Sequence, residues 1–130
     1  MAQNVNPTFV KTPNVGLAQI STGSGTNLVT AYTGGVNGSK ISGITLFQTS
    51  TATLTVNLYV VTASTNYYIT QVSVPTVTAT TAFPTTLPVD SDGNTFLILA
   101  STTDSVQVQS NATLPTATSV LSIITTAGDF

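Results

Sequence analysis

The chain has 130 residues, a net charge of −2, 41% hydrophobic residues and only 5% charged residues. It contains no His, Cys, Glu, Arg or Trp, whereas Thr occurs 28 times and Ser 13 times. Acid–base catalysis, nucleophile activation and most metal sites need side chains that titrate or coordinate near neutral pH, so this composition argues against an enzyme.

The length fits a single domain, and high hydrophobicity with low charge is the opposite of what disordered chains show. Two lysines can neutralise few phosphates, so we expect no binding to nucleic acid. No run of about 18 apolar residues is present, which predicts no transmembrane helix. The N-terminus lacks the basic and apolar regions of a signal peptide, so we expect no secretion and no membrane association.

Residues 1–14 contain Pro7 and Pro13 and show no hydrophobic period. This pattern predicts an extended N-terminal arm, followed by a β-sandwich domain at 15–130. A frayed terminus is the simpler alternative. If the arm packs on a neighbouring subunit, Phe9 and Val10 would supply its apolar contacts, and Lys11 follows them as a third candidate partner-binding residue.

The rest of the chain alternates β-branched and polar residues, as strands do. One face of the clearest strand would carry Leu54, Val56, Leu58 and Val60, and Gly43 indicates a bulge in an earlier strand. The segment 63–66 is predicted to turn the chain into a hairpin. In chain order, strands are predicted at 16–20, 27–33, 40–48, 53–61, 67–74, 76–81, 86–89, 96–100, 105–109 and 119–125.

No segment has a helical period, and most turn signals recur every 8–12 residues. This spacing predicts an all-β fold, a single-domain antiparallel β-sandwich that is jelly-roll-like. The apolar run at 96–100 predicts a strand that is buried on both faces or lies near the centre of the core.

The one cluster of carboxylates, Asp90 and Asp92, lies in a segment typical of a turn. A calcium loop of the EF-hand type would need an acid where Ser101 stands, so the pair is only a weak metal candidate. Asp104 also lies in a predicted turn, where Asp side chains bind backbone N–H groups. We therefore predict no catalytic residues, no cofactor and no metal.

Tyr59, Tyr67 and Tyr68 lie on the predicted hairpin. Adjacent residues of a strand point to opposite faces, so Tyr67 or Tyr68 must face outward unless another subunit covers it. Packing in the core or between subunits is the favoured interpretation, which makes both residues candidate partner-binding residues. A platform for sugar rings is the alternative.

Five short motifs follow one another along the chain: the stretch 12–22, Leu28-Val29-Thr30, the stretch 34–41, Thr65-Asn66-Tyr67 and the terminal Gly128-Asp129-Phe130. In this order they resemble the motifs of small proteins encoded in the structural gene clusters of tailed phages and prophages. Members of that family tend to carry Asp-Gly before the Thr-Asn-Tyr turn, where this chain has Ala63-Ser64.

The resemblance implies a virion structural protein, most plausibly a capsid decoration (cement) protein that binds the outer head surface and stabilises the shell. Its partners would be the major capsid protein or another virion protein, and it would form a homo-oligomer, with a trimer as the expected state. It would be made in the host cytoplasm and located on the capsid surface. The alternatives are a neck or tail accessory protein and a glycan-binding module on the virion.

Overall fold

The computed structural model describes residues 12–75, 85–86 and 97–130, and most of these residues lie in strands or in the turns between them. A single turn of 3₁₀ helix, Thr22–Ser24, follows the first strand. Within the described residues the strands, in chain order, are β1 (Thr12–Ser21), β2 (Leu28–Thr33), β3 (Ser39–Gln48), β4 (Leu54–Thr62), β5 (Thr65–Val74), β6 (Thr85–Thr86), β7 (Ile98–Leu99), β8 (Asp104–Ser110) and β9 (Val120–Asp129).

Strand pairing is nested, so that early strands pair with late ones. β1 pairs with β9, β2 with β8, β3 with β6 and β7, and β4 with β5, all in antiparallel orientation. Further pairing of β9 with β3 and of β8 with β4 completes two sheets, ordered β1-β9-β3-β6 with β7 also on β3, and β2-β8-β4-β5. This nested order is that of a jelly roll. The predicted antiparallel β-sandwich is therefore confirmed.

The core lies between the two sheets and consists of alternate residues from both. Leu54, Val56 and Leu58 are buried and Val60 is partly buried, which confirms the face predicted for β4. Each fully buried Ile, Leu or Val side chain stabilises the fold by roughly 1.5–3 kcal/mol. The other fully buried aliphatic side chains include Ile20, Ile41, Ile44, Leu46, Val106, Val108, Leu121 and Ile123.

Two glycines mark special backbone geometry in the first sheet: Gly43 lies at the predicted bulge, and Gly16 lies at a close approach of two strands. The register of β3 against β9 shifts between Ile41 and Gly43, so the predicted bulge is present. Gly16 lies where β1 passes close to β2, because a Cβ at this position would lie 2.4 Å from the carbonyl oxygen of Ala31. Only glycine lets the two strands approach this closely.

One polar side chain is buried at the end of β3. Gln48 is almost fully buried, and its Nε2 donates hydrogen bonds of 2.8 Å to the Val74 carbonyl and 3.0 Å to the Pro75 carbonyl. The same nitrogen reaches the Ala52 carbonyl, and Ser50 donates to Gln48 Oε1. Gln48 therefore joins the β3–β4 turn to the end of β5.

Several strand boundaries differ from the prediction. β9 extends through Asp129 rather than ending at 125, and β5 begins at Thr65 rather than at 67. β1 begins at Thr12 rather than at 16, so residues 12–14, which were assigned to the arm, pair with β9.

Of the two interpretations of the 96–100 run, burial on both faces is wrong for Ile98, which is exposed, whereas the buried Leu97 and Leu99 fit a strand at the core. Burial alternates along 97–100, so Leu97 and Leu99 face the core while Ile98 lies on the outer face of the sheet, opposite the exposed Lys40. The predicted strand at 76–81 and most of that at 86–89 lie outside the described residues.

The β4–β5 hairpin has a two-residue loop, because Thr62 lies opposite Thr65. Ala63 and Ser64 both adopt positive φ, 47° and 64°, as the type I′ turn requires. No other non-glycine residue in the described ranges has positive φ. The turn geometry thus favours glycine or asparagine, yet the sequence supplies neither residue at these two positions.

Replacing Ser64 with glycine should stabilise the protein. Relief of roughly 1–2 kcal/mol of left-handed strain exceeds the ~0.5–1 kcal/mol that glycine loses in chain entropy. We expect Ser64→Gly to raise the free energy of unfolding by about 0.5–1 kcal/mol in urea denaturation. The control is Thr51→Gly in the β3–β4 turn, where φ is not positive and glycine should destabilise. Equal effects of the two changes would contradict the turn assignment.

Candidate contact surfaces

The predicted site residues fall into two groups. Phe9, Val10 and Lys11, together with Asp90 and Asp92, lie outside the described residues. Tyr67 and Tyr68 lie on β5 and are 55% and 59% exposed, so both are available to a partner. In the parts of the chain that the structure describes, no group of three His, Cys, Asp or Glu side chains could hold a metal ion.

Asp104 has the turn role that was predicted for it. Its Oδ2 accepts a 2.8 Å hydrogen bond from the backbone N–H of Ala100. Hydrogen bonds from the Thr62 side chain and the Ala100 backbone hold the pKa of Asp104 below its usual value. The carboxylate therefore fixes the turn between β7 and β8.

A second carboxylate, Asp129, joins four strands near the C-terminus. Its Oδ1 accepts hydrogen bonds from Ser39 Oγ on β3 (2.5 Å) and from Tyr32 Oη on β2 (2.7 Å), and its Oδ2 accepts one from Asn14 Nδ2 on β1 (3.2 Å). We call Asn14, Tyr32, Ser39 and Asp129 the Asp129 cluster. The hydrogen bond from Ser39, with those from Tyr32 and Asn14, lowers the pKa of Asp129.

The Asp129 cluster also orders its surroundings. Burial, and then the hydrogen bond to Asp129, raises the pKa of Tyr32 and keeps its hydroxyl protonated as a donor. Ser39 Oγ accepts a 2.8 Å hydrogen bond from the N–H of Gly35, and a Cβ on Gly35 would lie 3.1 Å from the Asp129 carboxyl carbon. The cluster thus holds strands of the two sheets together through hydrogen bonds.

The outward face of the second sheet carries amides and tyrosines in direct contact. Gln71 on β5 lies opposite Asn57 on β4, and Gln71 Nε2 donates to Asn57 Oδ1 at 3.0 Å. Asn57 Nδ2 in turn donates to Asn111 Oδ1 at 2.9 Å. The result is a line of three amides, each oriented by its neighbour.

Two tyrosines extend this face. Tyr59 lies opposite Tyr68, and their rings meet edge to face with centroids 5.8 Å apart. Tyr59 Oη lies 3.2 Å from Gln109 Oε1 and donates to it. We name these residues the amide–tyrosine face: Asn57, Tyr59, Tyr68, Gln71, Gln109 and Asn111.

The amide–tyrosine face is uncharged. The four strands of its sheet contain one charged residue, Asp104, at the first position of β8. Tyr67 lies opposite Val60, one residue out of phase with Tyr68, so it belongs to the other side of β5. Tyr67 is exposed although Val60 opposite it packs against the core. The prediction that one of the two tyrosines faces outward agrees with the structure, and the second is exposed as well.

An apolar surface lies on the first sheet. Leu17 on β1 is 76% exposed and lies directly opposite Ile124 on β9, which is also exposed, and Val15 lies two residues before Leu17. Gln19 and Ser122 line a shallow groove together with Leu17 and Ile124. We call Val15, Leu17 and Ile124 the apolar strip. β1 is the last strand at this side of the sheet as described, so the strip borders an open sheet edge.

Comparisons with known proteins give a weak likeness to viral particles. No protein-family model matches the sequence, and no curated protein sequence matches it. The fold is similar to a chain of the cyanophage Pam1 capsid asymmetric unit, with 18% identity, a TM-score of 0.49 and coverage of 99% of this chain and 94% of that chain.

A second likeness is to a chain in the virus-like particle of extra small virus from the giant freshwater prawn Macrobrachium rosenbergii. It has 16% identity, a TM-score of 0.36 and coverage of 99% of this chain and 87% of that chain. At these values neither likeness identifies a family. Separately, no helix among the described residues is long and apolar enough to cross a membrane.

The Asp129 cluster should make stability depend on acid pH. A carboxyl whose folded pKa is lowered stabilises the fold above its unfolded pKa, near 3.9, and that stability is lost as pH falls through the folded value. We expect Asp129→Asn to lower the urea midpoint at pH 7 and the deficit to shrink below about pH 4. Tyr32→Phe keeps the carboxylate and its hydrogen bond from Ser39 but removes one donor, so its acid dependence should lie between those of the unchanged protein and Asp129→Asn. Parallel pH profiles for Asp129→Asn and the unchanged protein would contradict this role.

Proposed function

We propose that this protein is a virion structural protein, and specifically a capsid decoration (cement) protein that binds the outer surface of a phage head. The observation that carries the proposal is the apolar strip at the open edge of β1. An exposed edge with apolar side chains favours association with another chain, and soluble sandwiches usually protect such edges with charges or short strands. β1 has ten residues and no charge, so the strip is well suited to be covered in an assembly.

The contact surface would begin in the arm and continue into the strip. The candidate arm residues Phe9, Val10 and Lys11 directly precede β1, which starts at Thr12. Both segments would then lie against the shell as one continuous contact. Covering Leu17 and Val15 would add apolar burial to whatever the arm contributes.

Binding to the capsid shell would be multivalent. Each copy would contribute a modest interface, and a homotrimer on a capsid symmetry axis would raise the effective concentration of the other two arms once one has bound. Around the apolar contacts, neutral Thr and Ser hydroxyls suit such an interface, since they form hydrogen bonds without the desolvation cost of a buried charge.

The proposal includes no catalytic activity. Of the two carboxylates that the structure describes, Asp104 holds a turn and Asp129 holds the Asp129 cluster, so each already has a structural partner set. Hydrolysis of a glycoside would need two carboxyl groups held about 5–10 Å apart that are not already engaged in structural hydrogen bonds. A hydrolase activity that is lost on replacing Asp90, Asp92 and Asp104 with Asn would contradict this part of the proposal.

Location on the particle is the direct test. Electron microscopy of intact virions should show this chain in symmetric copies on the head shell, and density confined to the neck or tail would favour the accessory alternative instead. Deleting residues 1–11, which leaves β1 complete, should strongly reduce binding to undecorated heads while the far-UV circular dichroism remains that of a β-sandwich. Unchanged binding by the shortened chain would exclude the arm as an anchor.

The apolar strip can be tested separately from the arm. Leu17→Asn should weaken binding to undecorated heads by about tenfold or more, because it removes one large apolar contact. Its effect on unfolding should stay within about 0.5 kcal/mol, since the side chain is largely exposed in the free protein. The matched control is Val36→Asn, at an 81% exposed position in the β2–β3 turn. Equal losses in both variants, measured by co-sedimentation, would remove the strip from the interface.

A further inference from the structure

We propose that the amide–tyrosine face binds a neutral saccharide. The inference does not depend on where in a particle the protein sits. It starts from a surface on which the exposed ring of Tyr68 contacts Tyr59, Tyr59 donates to the Gln109 amide, and three further amides are hydrogen-bonded to one another. Sugars present apolar C–H faces to aromatic rings and vicinal hydroxyl pairs to planar amides. These two kinds of group are the ones that this face combines.

The aromatic part is Tyr68. It is 59% exposed, and its ring contacts that of Tyr59 edge to face, which restricts it on one side. Tyr59 is itself held through the hydrogen bond of its hydroxyl to Gln109. A ring that a neighbour already restricts loses less conformational entropy when a ligand packs on it, which favours binding.

The polar part is the line Gln71–Asn57–Asn111. Gln71 donates through one amide N–H to Asn57, and Asn57 donates through one N–H to Asn111. Each amide has two N–H donors and a carbonyl with two acceptor sites, so every member keeps hydrogen-bonding capacity beyond these contacts. The internal hydrogen bonds orient that remaining capacity, and the three groups lie side by side across two strands and the end of a third.

The absence of charge on the face selects the ligand class. A sialate, uronate or phosphate would lose hydration against these groups without meeting a cation, which is unfavourable. Neutral hydroxyls lose less and can exchange hydrogen bonds with the amides one for one. A protein partner would be expected to meet an apolar centre rather than a polar one. The face is also open, so a single site would bind weakly and several copies would be needed for retention.

The adjacent tyrosines provide a matched pair of variants. Tyr67 and Tyr68 are neighbours on β5 with nearly equal exposure, but Tyr67 belongs to the other side of the strand. Tyr68→Ala should therefore weaken saccharide binding by about tenfold, whereas Tyr67→Ala should change it by less than about twofold. Gln71→Leu, which breaks the amide line but keeps Tyr68, should also weaken binding.

The probes are immobilised neutral gluco-, galacto- and manno-oligosaccharides, beside sialylated and uronate-bearing oligosaccharides of equal length. We expect the full chain to be retained by at least one neutral class and not by the acidic ones. The retained probe is then titrated into each variant with tyrosine fluorescence as the readout, after circular dichroism has shown that the variant is folded.

Three results would overturn the inference. The first is no retention on any neutral probe, and the second is equal loss of affinity in Tyr68→Ala and Tyr67→Ala. The third is a change in oligomeric state in Tyr68→Ala, detected by light scattering, with no change in saccharide affinity. That result would assign the face to contact between copies. None of the three depends on binding to phage heads, so they are separate from a failure of the cement proposal.

Discussion

The whole fold depends on the pairing of β9 with both β1 and β3. β9 is the last strand, yet it lies between the first strand and the third, over ten residue positions on the β1 side. Residues more than 100 positions apart in sequence must therefore meet before the first sheet exists, and such long-range pairing makes folding slow. The Asp129 cluster lies at the end of this strand, where its hydrogen bonds join β9 to three other strands. The end of β9 is thus bound to strands of both sheets.

The sequence predicted those features that follow from local alternation. The inward face of β4 depends on side-chain period and the bulge at Gly43 on a glycine, and both can be recognised within a few residues. It did not reveal the burial of Gln48 or the partners of Asp129. Both depend on residues from distant strands, and an isolated Gln or Asp in a sequence looks like a surface residue. In the sequence, Gly128-Asp129-Phe130 carries only a resemblance, and the structural role of Asp129 depends on its distant partners.

The amide–tyrosine face is a second feature that alternation in the sequence does not predict. Tyr59 lies opposite Tyr68 because a two-residue turn sets that register. Beyond them, the register shifts by one residue between Leu58 and Tyr59, so Ile69 is skipped and Gln71 lies opposite Asn57. Without that bulge, strict alternation would place Gln71 on the core side opposite Val56, and the amide line could not form. Simple alternation along β5 therefore predicts the wrong face for Gln71.

The positions of the charged side chains in the described ranges determine which kinds of contact this protein can make. Asp104 and Asp129 are both engaged by donors from the protein itself, so neither is a free charge for a partner, and Lys40 is the remaining charged side chain in the described ranges. Contacts made by this surface must then rest on apolar area and on neutral hydrogen bonds. Such contacts lack the long-range attraction that steers charged proteins together, and salt screens them little. Specificity must come from shape and from the fixed orientation of amides and tyrosines, which suits a protein that binds in many copies with weak individual contacts.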